Sequence, residues 1–381
     1  MNILIAVDYF PPNGGGGRSY RMAKLATFLT QQGCNVCVLC SDKTVNPDET
    51  MLDGAIKENL EIIRIKQSNS LFVKLVKKLL RQIWIGDGGL FFAWQMYSRL
   101  CKRQIPIIPD IVFTSSAPYE VHLLGLWLKK RFGFQWVADF RDPYTLNRNY
   151  NKRFPVGRWF DRRFEKRIYQ QADGIVFNTI ANRQQSIETF KLDESATKYT
   201  VCQNGFDPEE VVESNIKKEA VSGLVISYIG GWRDDAYENE FINQILREKE
   251  YYKEKSICFR FIGNGTEALS GRAEQSDGVI ELVGFVPQTA LGQYWASTDG
   301  VILLLPPSQG YLGWVPQKLY GYMAQRKAIL GIVPQGESES YLKEYGCAVM
   351  CRPEEFDLRK MVEQLAPLAS EVDADEETVS R

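Results

Sequence analysis

Several features that other protein classes depend on are scarce or missing in this sequence. Its 381 residues include one histidine, and 46 basic side chains nearly cancel 47 acidic ones, which leaves a formal net charge of -1. Because that charge offers little attraction to a polyanion, a dedicated nucleic-acid-binding protein is disfavoured. No apolar run reaches the roughly 18 residues that span a bilayer, so we predict no transmembrane helix. The start, Met1–Asp8, lacks the basic region and long apolar stretch of a signal peptide, and we expect it to form the first strand.

The 8 cysteines include one cluster whose spacing suggests a metal site: Cys34, Cys37 and Cys40. They lie in an apolar stretch that is typical of a strand. Because side chains alternate along a strand, Cys37 would face away from the other two. The three thiols cannot then converge on one ion, and we interpret them as buried free thiols. The sequence therefore predicts no metal site, and its cysteine usage is typical of a reducing cytoplasm.

The length and apolar content predict more than one domain. With 381 residues, 44% of them hydrophobic, the chain exceeds one ordinary core. Short apolar runs alternate with longer helical periods, which is typical of parallel α/β layers. We predict an N-terminal domain over 1–205, a C-terminal domain over 206–353, and a terminal helix with an acidic tail over 354–381, with Asp207–Ser222 as the linker. Two Rossmann-like sheets would then face each other across a cleft, where α/β folds bind ligands.

The predicted elements fall into two series. The first has strands near Ile3–Val7, Val36–Leu39, Ile62–Ile65, Ile111–Thr114, Trp136–Asp139 and Gly174–Asn178, and its main helices are Ser19–Gln31, Leu71–Ile85, Glu120–Phe132, Gly157–Gln171 and Ala181–Phe190. The second has strands near Leu224–Ile229, Cys258–Ile262, Ile280–Val283, Val301–Leu305 and Ala328–Val333.

One segment of the second series suggests an anion site. The apolar run Gly300–Leu305 leads into a glycine-bearing loop and then a helix with Pro316 in its first turn. Proline suits that turn, since the N–H that it lacks would have no partner there. The unpaired N–H groups of the same turn attract anions such as phosphate.

The stretch from Gly310 to Ala324 resembles the donor-binding segment of nucleotide-sugar glycosyltransferases with two Rossmann-like domains, the GT-B fold. The likeness is to the large, mostly retaining family 4, which includes many bacterial polysaccharide and glycolipid enzymes. That family usually has two glutamates eight positions apart, one on the donor sugar and one on the nucleotide ribose. Gly313 and Gly321 occupy those positions here. The resemblance implies donor contacts from Tyr311, Leu312, Gly313, Gln317, Lys318, Leu319 and Gly321.

A glycine-rich loop lies between the first strand and the first helix. The run Gly14 to Gly17 would let the backbone approach a ligand closely, beside a helix start that favours negative charge. Any tight strand–helix connection can use such glycines, and the spacing does not match a dinucleotide fingerprint. The loop resembles the proline-proline-x-x-glycine-glycine loop of the same family, which implies donor contacts from Gly16 and Gly17.

The single histidine lies in a second candidate site. The run Thr114 to Ser116 ends a predicted strand, and His122 falls in the first turn of the next helix. From the residues alone, a hydrogen-bonded helix residue explains His122 as well as a functional one does. The family has a similar serine-rich turn with a histidine, and the resemblance places this turn near the sugar, with His122 as a catalytic candidate.

The charged run Asp139 to Asp142 ends another predicted strand. Charges at the carboxyl end of a parallel strand face the ligand in this architecture. Alternatively, Arg141 pairs with Asp139 or Asp142 and only shapes the loop. The family carries the same aspartate-x-arginine-aspartate pattern, which implies catalytic roles for Arg141 and Asp142. Asp142 would either orient an acceptor hydroxyl or act as a base, and the sequence leaves both open.

Two strand ends of the second domain complete the predicted donor site. The family has a basic residue against the donor diphosphate, where it offsets developing leaving-group charge, and Arg233 matches that position. Lys318 would supply a second charge, although an ordinary surface lysine of the helix is a serious rival interpretation. The turn at Phe285 and Val286 resembles the family's loop whose backbone binds the nucleobase.

A basic and apolar helix is predicted over Leu71–Ile85. Its cations share one stripe, and the other face is almost wholly apolar. A second basic-aromatic segment, Lys152–Arg167, follows. Such helices bind anionic membrane surfaces, but a core helix with a solvated cationic stripe also explains the pattern. Two such segments in one near-neutral chain favour a shallow membrane contact, made by Lys74, Lys77, Lys78, Arg81 and Trp84.

The resemblance extends from the Pro11 loop to Gly336. It implies a retaining hexosyltransferase that moves a sugar from a nucleotide-diphosphate sugar to a saccharide or lipid-linked acceptor in surface-glycan assembly, without metal or cofactor. The expected location is the cytoplasm, with peripheral contact at the inner membrane surface. Two alternatives stay open: a non-catalytic GT-B subunit or scaffold that has lost donor affinity, and a nucleotide-sugar epimerase or phosphorylase on the same fold.

Overall fold

The computed structural model describes residues 1–12, 17–42, 52, 55–66, 74–75, 78–79, 89–102, 104–147, 150, 154–208, 211, 223–287, 290–307 and 310–379. The chain divides into two compact units, Met1–Asn204 and Gly205–Arg381. Each unit is a parallel sheet with helices packed on it, so the predicted α/β class with two Rossmann-like domains is confirmed. The predicted linker Asp207–Ser222 lies almost wholly outside the described residues.

The first unit contains a seven-stranded sheet in the order β3-β2-β1-β4-β5-β6-β7, parallel throughout. Its strands are β1 Asn2–Ala6, β2 Asn35–Ser41, β3 Leu60–Ile65, β4 Ile111–Ser115, β5 Gln135–Phe140, β6 Gly174–Phe177 and β7 Tyr199–Val201. Its helices are α1 Gly17–Gln31, α2 Leu90–Cys101, α3 Val121–Phe132, α4 Pro155–Gln171 and α5 Ile180–Phe190, with a short 3-10 helix at Lys57–Asn59.

The second unit contains a six-stranded parallel sheet in the order β10-β9-β8-β11-β12-β13. Its strands are β8 Leu224–Ile229, β9 Ile257–Ile262, β10 Ile280–Gly284, β11 Gly300–Leu304, β12 Ala328–Ile332 and β13 Ala348–Cys351. Its helices are α6 Ala236–Arg247, α7 Lys249–Glu254, α8 Ser270–Gln275, α9 Gly292–Ala296, α10 Gln317–Ala324, α11 Glu337–Tyr345 and α12 Leu358–Val379, with a 3-10 helix at Thr266–Leu269.

The central strands are near-continuous apolar runs because they are buried on both faces of a parallel sheet. Strands β11 and β12 are buried at every residue. In the first unit, the rings of Trp136, Phe140 and Tyr169 belong to one core cluster, which fixes the end of β5 against α4. This packing gives the strand ends a rigid base.

The clustered cysteines Cys34, Cys37 and Cys40 are buried and free, as interpreted from the sequence. Burial, with smaller contributions from Glu61 and Cys40, raises the pKa of the Cys37 thiol to about 12. The Cys37 thiol is therefore an inert core residue.

The register of the parallel strands decides which residues meet at the sheet edge. Ala6 of β1 lies beside Thr114 of β4, and Ser115 lies beside Asp139 of β5. Because parallel strands end at a common edge, the loops after β1, β4 and β5 emerge side by side.

Candidate functional site

An ion pair that sequence reasoning did not find lies at this edge of the first sheet. The guanidinium of Arg21, on α1, lies 3.0 Å from a carboxylate oxygen of Asp139, and both side chains are buried. Ser115 Oγ donates to the other oxygen of Asp139 at 2.7 Å. Asp139 therefore pairs with Arg21 and not with Arg141. Burial alone would lower the pKa of Arg21, but the carboxylate of Asp139 reverses this and raises it.

Arg21 also holds the last residues of the first unit. Its guanidinium donates to the carbonyls of Cys202 and Gln203 at 3.0 and 3.2 Å, and to Asn204 Oδ1 at 3.3 Å. The N–H of Asn204 in turn donates to Asn178 Oδ1 at 3.2 Å. One buried cation thus joins the first helix, the end of β5 and the segment that leads to the second unit. Its signal in the sequence was slight: one arginine four residues after the glycine run.

His122 lies in the first turn of α3, as expected, and is fully buried. Its Nδ1 is 2.8 Å from the hydroxyl of Thr114, which also accepts from the indole N–H of Trp136 at 2.8 Å. The ring stacks on Phe140, with centroids 4.5 Å apart. Its Nε2 has no hydrogen-bond partner among the residues that the structure describes.

The surroundings of His122 keep the imidazole neutral. Desolvation lowers the pKa of His122 to about 3; the charge of Asp139 opposes this shift and that of Arg141 adds to it. A neutral imidazole can accept or donate one hydrogen bond, but it does not act as a general acid near neutral pH.

The loop that carries Asp142 is fixed by buried groups on either side. Tyr119 OH donates to the carbonyls of Asp142 and Pro143 at 3.1 and 3.2 Å. Arg141 Nε donates to the carbonyl of Ser116, which ties this loop to the serine-rich turn. The side chain of Asp142 itself is half-buried, at the same edge as Ser115 and Asp139.

Glu165 of α4 holds the loop that carries Asp142 through hydrogen bonds from the protein interior. Its fully buried carboxylate accepts from the N–H groups of Tyr144 and Thr145 at 2.7 and 2.9 Å, from Thr145 Oγ1 at 2.6 Å and from Tyr169 OH at 2.9 Å. Sequence reasoning missed this residue. The signal was available, because Asp161 and Glu165 fall in the helical phase of the apolar Phe164 and Ile168.

The first loop is only partly described. Gly16 lies outside the described residues, and Gly17 is the first residue of α1. Arg64 of β3 donates to the carbonyl of Pro11, which holds the beginning of the loop against the sheet.

In the second unit, two cations lie at the end of β8. Arg233 pairs with the buried carboxylate of Glu238 at 3.3 Å, and Glu238 also accepts the N–H of Arg233 at 2.6 Å. Lys318 Nζ lies 3.9 Å from the centroid of the Tyr228 ring. A Cβ added at Gly230 would be 3.6 Å from the same Nζ, so the lysine packs over the turn that follows β8.

Lys318 is not an ordinary surface lysine. Desolvation lowers its pKa to about 7; Glu238 opposes the shift and Arg233 strengthens it. The ammonium of Lys318 therefore loses its proton readily near neutral pH. A bound anion would favour the protonated form and raise the pKa again.

The predicted donor segment has a rigid frame. The helix α10 begins at Gln317, one residue later than predicted, and Gln317 Nε2 donates to the carbonyl of Gly205. The carbonyl of Leu312 accepts from Glu337 N at 2.8 Å and would lie 2.4 Å from a Cβ at Gly336, so only glycine fits there.

The other predicted donor residues fall at different depths. Tyr311, Gly313 and Leu319 are buried, and Leu312 is exposed. Phe285 is exposed and Val286 half-buried after β10. Around Gly321, beyond its chain neighbours and the backbone of its own helix, no described atom lies within 4 Å of the position that a Cβ would take.

Of the five predicted membrane residues, Lys74 and Lys78 are helical and exposed, whereas Lys77, Arg81 and Trp84 lie outside the described residues. The apolar neighbours Leu75 and Leu79 are 67% and 62% exposed. These two leucines are therefore not core residues, as the alternative of an ordinary core helix would require. Within the described ranges no helix combines the length and apolar content needed to cross a bilayer.

The described part of the chain contains no group of three or more His, Cys, Asp or Glu side chains that could hold a metal ion. The cations at the end of β8, Arg233 and Lys318, are suited to a bound anion.

Comparisons with known proteins agree with this architecture. A glycosyltransferase from Rickettsia africae is similar in structure, with a TM-score of 0.62 and 16% identity over 99% of this chain and 93% of its own. WaaG, a glycosyltransferase involved in lipopolysaccharide biosynthesis, has a TM-score of 0.62 and 12% identity, over 99% of this chain and 94% of its own. The E. coli trehalose-6-phosphate protein bound with UDP-2-fluoro glucose has a TM-score of 0.59 and 11% identity, over 98% of this chain and 96% of its own.

At these identities the likeness shows the fold alone, and that fold is GT-B. No curated protein sequence matches the chain. A sequence profile named Glycosyltransferase Family 4, however, matches residues 15–210, which is more than half of the 381 residues. The chain is therefore a glycosyltransferase that belongs to glycosyltransferase family 4.

Proposed function

We propose that this protein moves a hexose from a nucleotide-diphosphate sugar, bound on the second unit, to a saccharide or lipid-linked acceptor bound on the first. The observation that carries the donor part is the pair Arg233 and Lys318 at the end of β8. Lys318 lies in the first turn of α10, where unpaired N–H groups also attract phosphate. The neighbours that are bound with UDP-2-fluoro glucose or involved in lipopolysaccharide biosynthesis favour the same donor and acceptor classes.

The proposed chemistry breaks the bond between the sugar C1 and the diphosphate oxygen and forms one from C1 to an acceptor oxygen. The diphosphate leaves with the bonding electrons, and Arg233, Lys318 and the α10 N-terminus stabilise its charge without a metal. The acceptor hydroxyl loses its proton. Asp142 takes that proton, or it orients the hydroxyl and the proton passes to an oxygen of the departing diphosphate; the loop of Asp142 is held in place by Tyr119 and Glu165. Arg141 and the neutral His122 complete this side of the site, and transfer proceeds with retention.

The proposed location is the cytoplasm, with peripheral contact at the inner face of the membrane. The exposure of Leu75 and Leu79 beside Lys74 and Lys78 favours such a contact, because apolar side chains next to cations suit an anionic lipid surface.

A thermal-shift panel of UDP, GDP, ADP, CMP and TDP with their common sugars tests the proposal. A ligand at about a hundred times its dissociation constant adds about 2.7 kcal/mol, which corresponds to a shift of roughly a few degrees. A shift with one nucleotide identifies the donor class, and an unchanged shift in excess EDTA agrees with metal independence. The anomeric NMR signal of the product tests retention. No shift with any nucleotide would favour a non-catalytic scaffold instead.

A further inference from the structure

The outward face of α4 carries charge of one sign. Within Pro155–Gln171 the acidic residues are Asp161 and Glu165, and both are fully buried. The exposed charges on this helix are all arginines, namely Arg158, Arg162, Arg163 and Arg167. The sequence places cations and anions in the same helix, but the fold turns every anion inward.

The buried acids are committed to the interior of the first unit. Asp161 accepts from Tyr150 OH at 2.9 Å, and Glu165 accepts the N–H groups of Tyr144 and Thr145. They therefore cannot neutralise the arginines outside. In the described part of the chain no ion pair involves any of the four arginines.

The N-cap and the beginning of the same helix add apolar side chains that face outward. Phe154, Val156 and Trp159 are 50%, 52% and 55% exposed. The guanidinium of Arg163 lies 5.1 Å from the centroid of the Trp159 ring, so a cation and an indole share one patch. An aromatic with cations around it is suited to the boundary between lipid headgroups and acyl chains.

The patch lies at the edge of the sheet where the candidate site is. Helix α4 follows the loop after β5, so its first turn is near the carboxyl ends of the strands. Helix α2 also begins at this edge, because Gly89 N donates to Glu120 at the start of α3. Its first turns expose Phe91 and Trp94, whose rings stack with centroids 5.9 Å apart.

We propose that the face of α4 formed by Phe154, Val156, Trp159, Arg158, Arg162 and Arg163 seats this protein on an anionic phospholipid surface. The inference rests on the peripheral membrane contact proposed above and names the surface that makes it. The arginines contact lipid phosphates and the three apolar side chains enter the headgroup region. Charge complementarity selects lipid as the occupant, since the face offers a partner three unneutralised cations and no anion. This placement presents the strand edge with Asp142 to a lipid-linked acceptor.

Flotation of the whole chain with vesicles tests the inference. We expect the protein to float with vesicles of equal parts phosphatidylcholine and phosphatidylglycerol, to stay behind with phosphatidylcholine alone, and to be released as salt rises. Each surface cation contributes about fivefold in affinity, so the triple variant Arg158→Gln, Arg162→Gln, Arg163→Gln should bind on the order of 100-fold more weakly. The matched control neutralises three exposed cations of the second unit, Arg247, Lys253 and Lys255, and should float as the wild type does.

A second pair of variants tests the apolar part. Trp159→Ser should weaken binding about tenfold or more, whereas Phe28→Ser, which removes an exposed aromatic on α1, should not. Circular dichroism and the nucleotide-induced thermal shift show whether each variant is folded.

The outcomes separate this inference from the proposed function. Wild-type flotation that survives in both α4 variants overturns the role of α4 and leaves the membrane contact in place. No flotation of the wild type, or concentration-dependent dimers that α4 variants abolish, overturns the lipid assignment altogether. A missing nucleotide shift with intact, α4-dependent flotation would instead contradict the donor proposal alone.

Discussion

The guanidinium of Arg21 lies 3.0 Å from the carboxylate of Asp139, in a part of the first unit where both side chains are buried. Breaking a buried pair leaves one charge without its partner, which costs about 3–5 kcal/mol. We therefore expect Asp139→Asn to lower the free energy of unfolding of the first unit by that amount, measured by urea denaturation.

The matched control is Glu194→Gln, which removes the partner of Arg183 in an exposed pair of the same unit. Exposed pairs contribute about 0–1 kcal/mol, so this variant should be nearly neutral. Equal effects of the two substitutions would show that Asp139 and Arg21 are not coupled as described.

His122 should stay neutral across the physiological range. Desolvation lowers its pKa to about 3, against 6.5 for the free side chain. Because the unfolded chain binds the proton and the native chain does not, this residue reduces stability as pH falls below 6.5 towards 3. The chain has one histidine, so its imidazole NMR signals are assigned without ambiguity, and they should not titrate between about pH 5 and 8. A midpoint near 6.5 would contradict the buried environment.

Glu165→Gln should loosen the loop that carries Asp142. The substitution places an amide N–H₂ among N–H and O–H donors, and each unsatisfied buried donor costs about 1–3 kcal/mol. We expect faster hydrogen exchange at the amides of Tyr144 and Thr145, together with a lower kcat and an unchanged donor Kd. Glu188→Gln, on the exposed face of α5, is the control. Unchanged exchange at both amides would mean that Glu165 does not hold the loop.

Nucleotide binding should weaken as pH rises through about 7, because desolvation lowers the pKa of Lys318 to that value. A bound diphosphate stabilises the ammonium, so binding above this pH takes up a proton and loses affinity. Calorimetry about one pH unit on either side of 7, in buffers of different ionisation enthalpy, measures both effects.

The variant Lys318→Met should bind the nucleotide about 10–100-fold more weakly and lose this pH dependence. Lys253→Met, at an exposed position of the second unit, should change neither property. A pH dependence that persists in Lys318→Met would assign the titration to another group.

Gly321→Glu should strengthen nucleotide binding. The family resemblance places a ribose-binding glutamate at this position, and the described residues leave open space around Gly321. One regained hydrogen bond corresponds to about 0.5–1.5 kcal/mol, or roughly tenfold in Kd. Gly321→Ala separates this effect from helix propensity, since it favours the helix without adding a carboxylate. Equal affinities for the two variants would show that the ribose is bound elsewhere.

The sequence predicted the fold because its main signals are local. Apolar runs such as Val301–Leu305 and helical periods such as Gly157–Gln171 depend on neighbouring residues, and both agree closely with β11 and α4. The polar strand ends were also identifiable, because parallel strands place them at one edge. The predicted roles of His122, Asp142 and Arg233 stay predictions, although the positions of all three are now known.

The partners of those residues required the tertiary structure. Arg21 and Asp139 are separated by 118 positions, and no local pattern in the sequence pairs them. The charged run Asp139 to Asp142 also suggested an ion pair between Arg141 and Asp139. In the folded protein Asp139 pairs with Arg21. The acids of α4 illustrate the same limit, because they are hydrogen-bonded by Tyr150, Tyr144 and Thr145 of the preceding loop, 11 to 21 positions away and outside the helical period.

The sequence by itself therefore determined two parallel α/β sheets, most of their strands and the loops that carry polar residues, since periodicity and turn chemistry act over a few residues. The strands β7 and β13 and the helix α2 were not predicted. The tertiary structure alone decided which charges are buried, paired or left outward. Desolvation and ion pairing act through space, and they make Lys318 titrate near 7, keep His122 neutral and leave the arginines of α4 without anions.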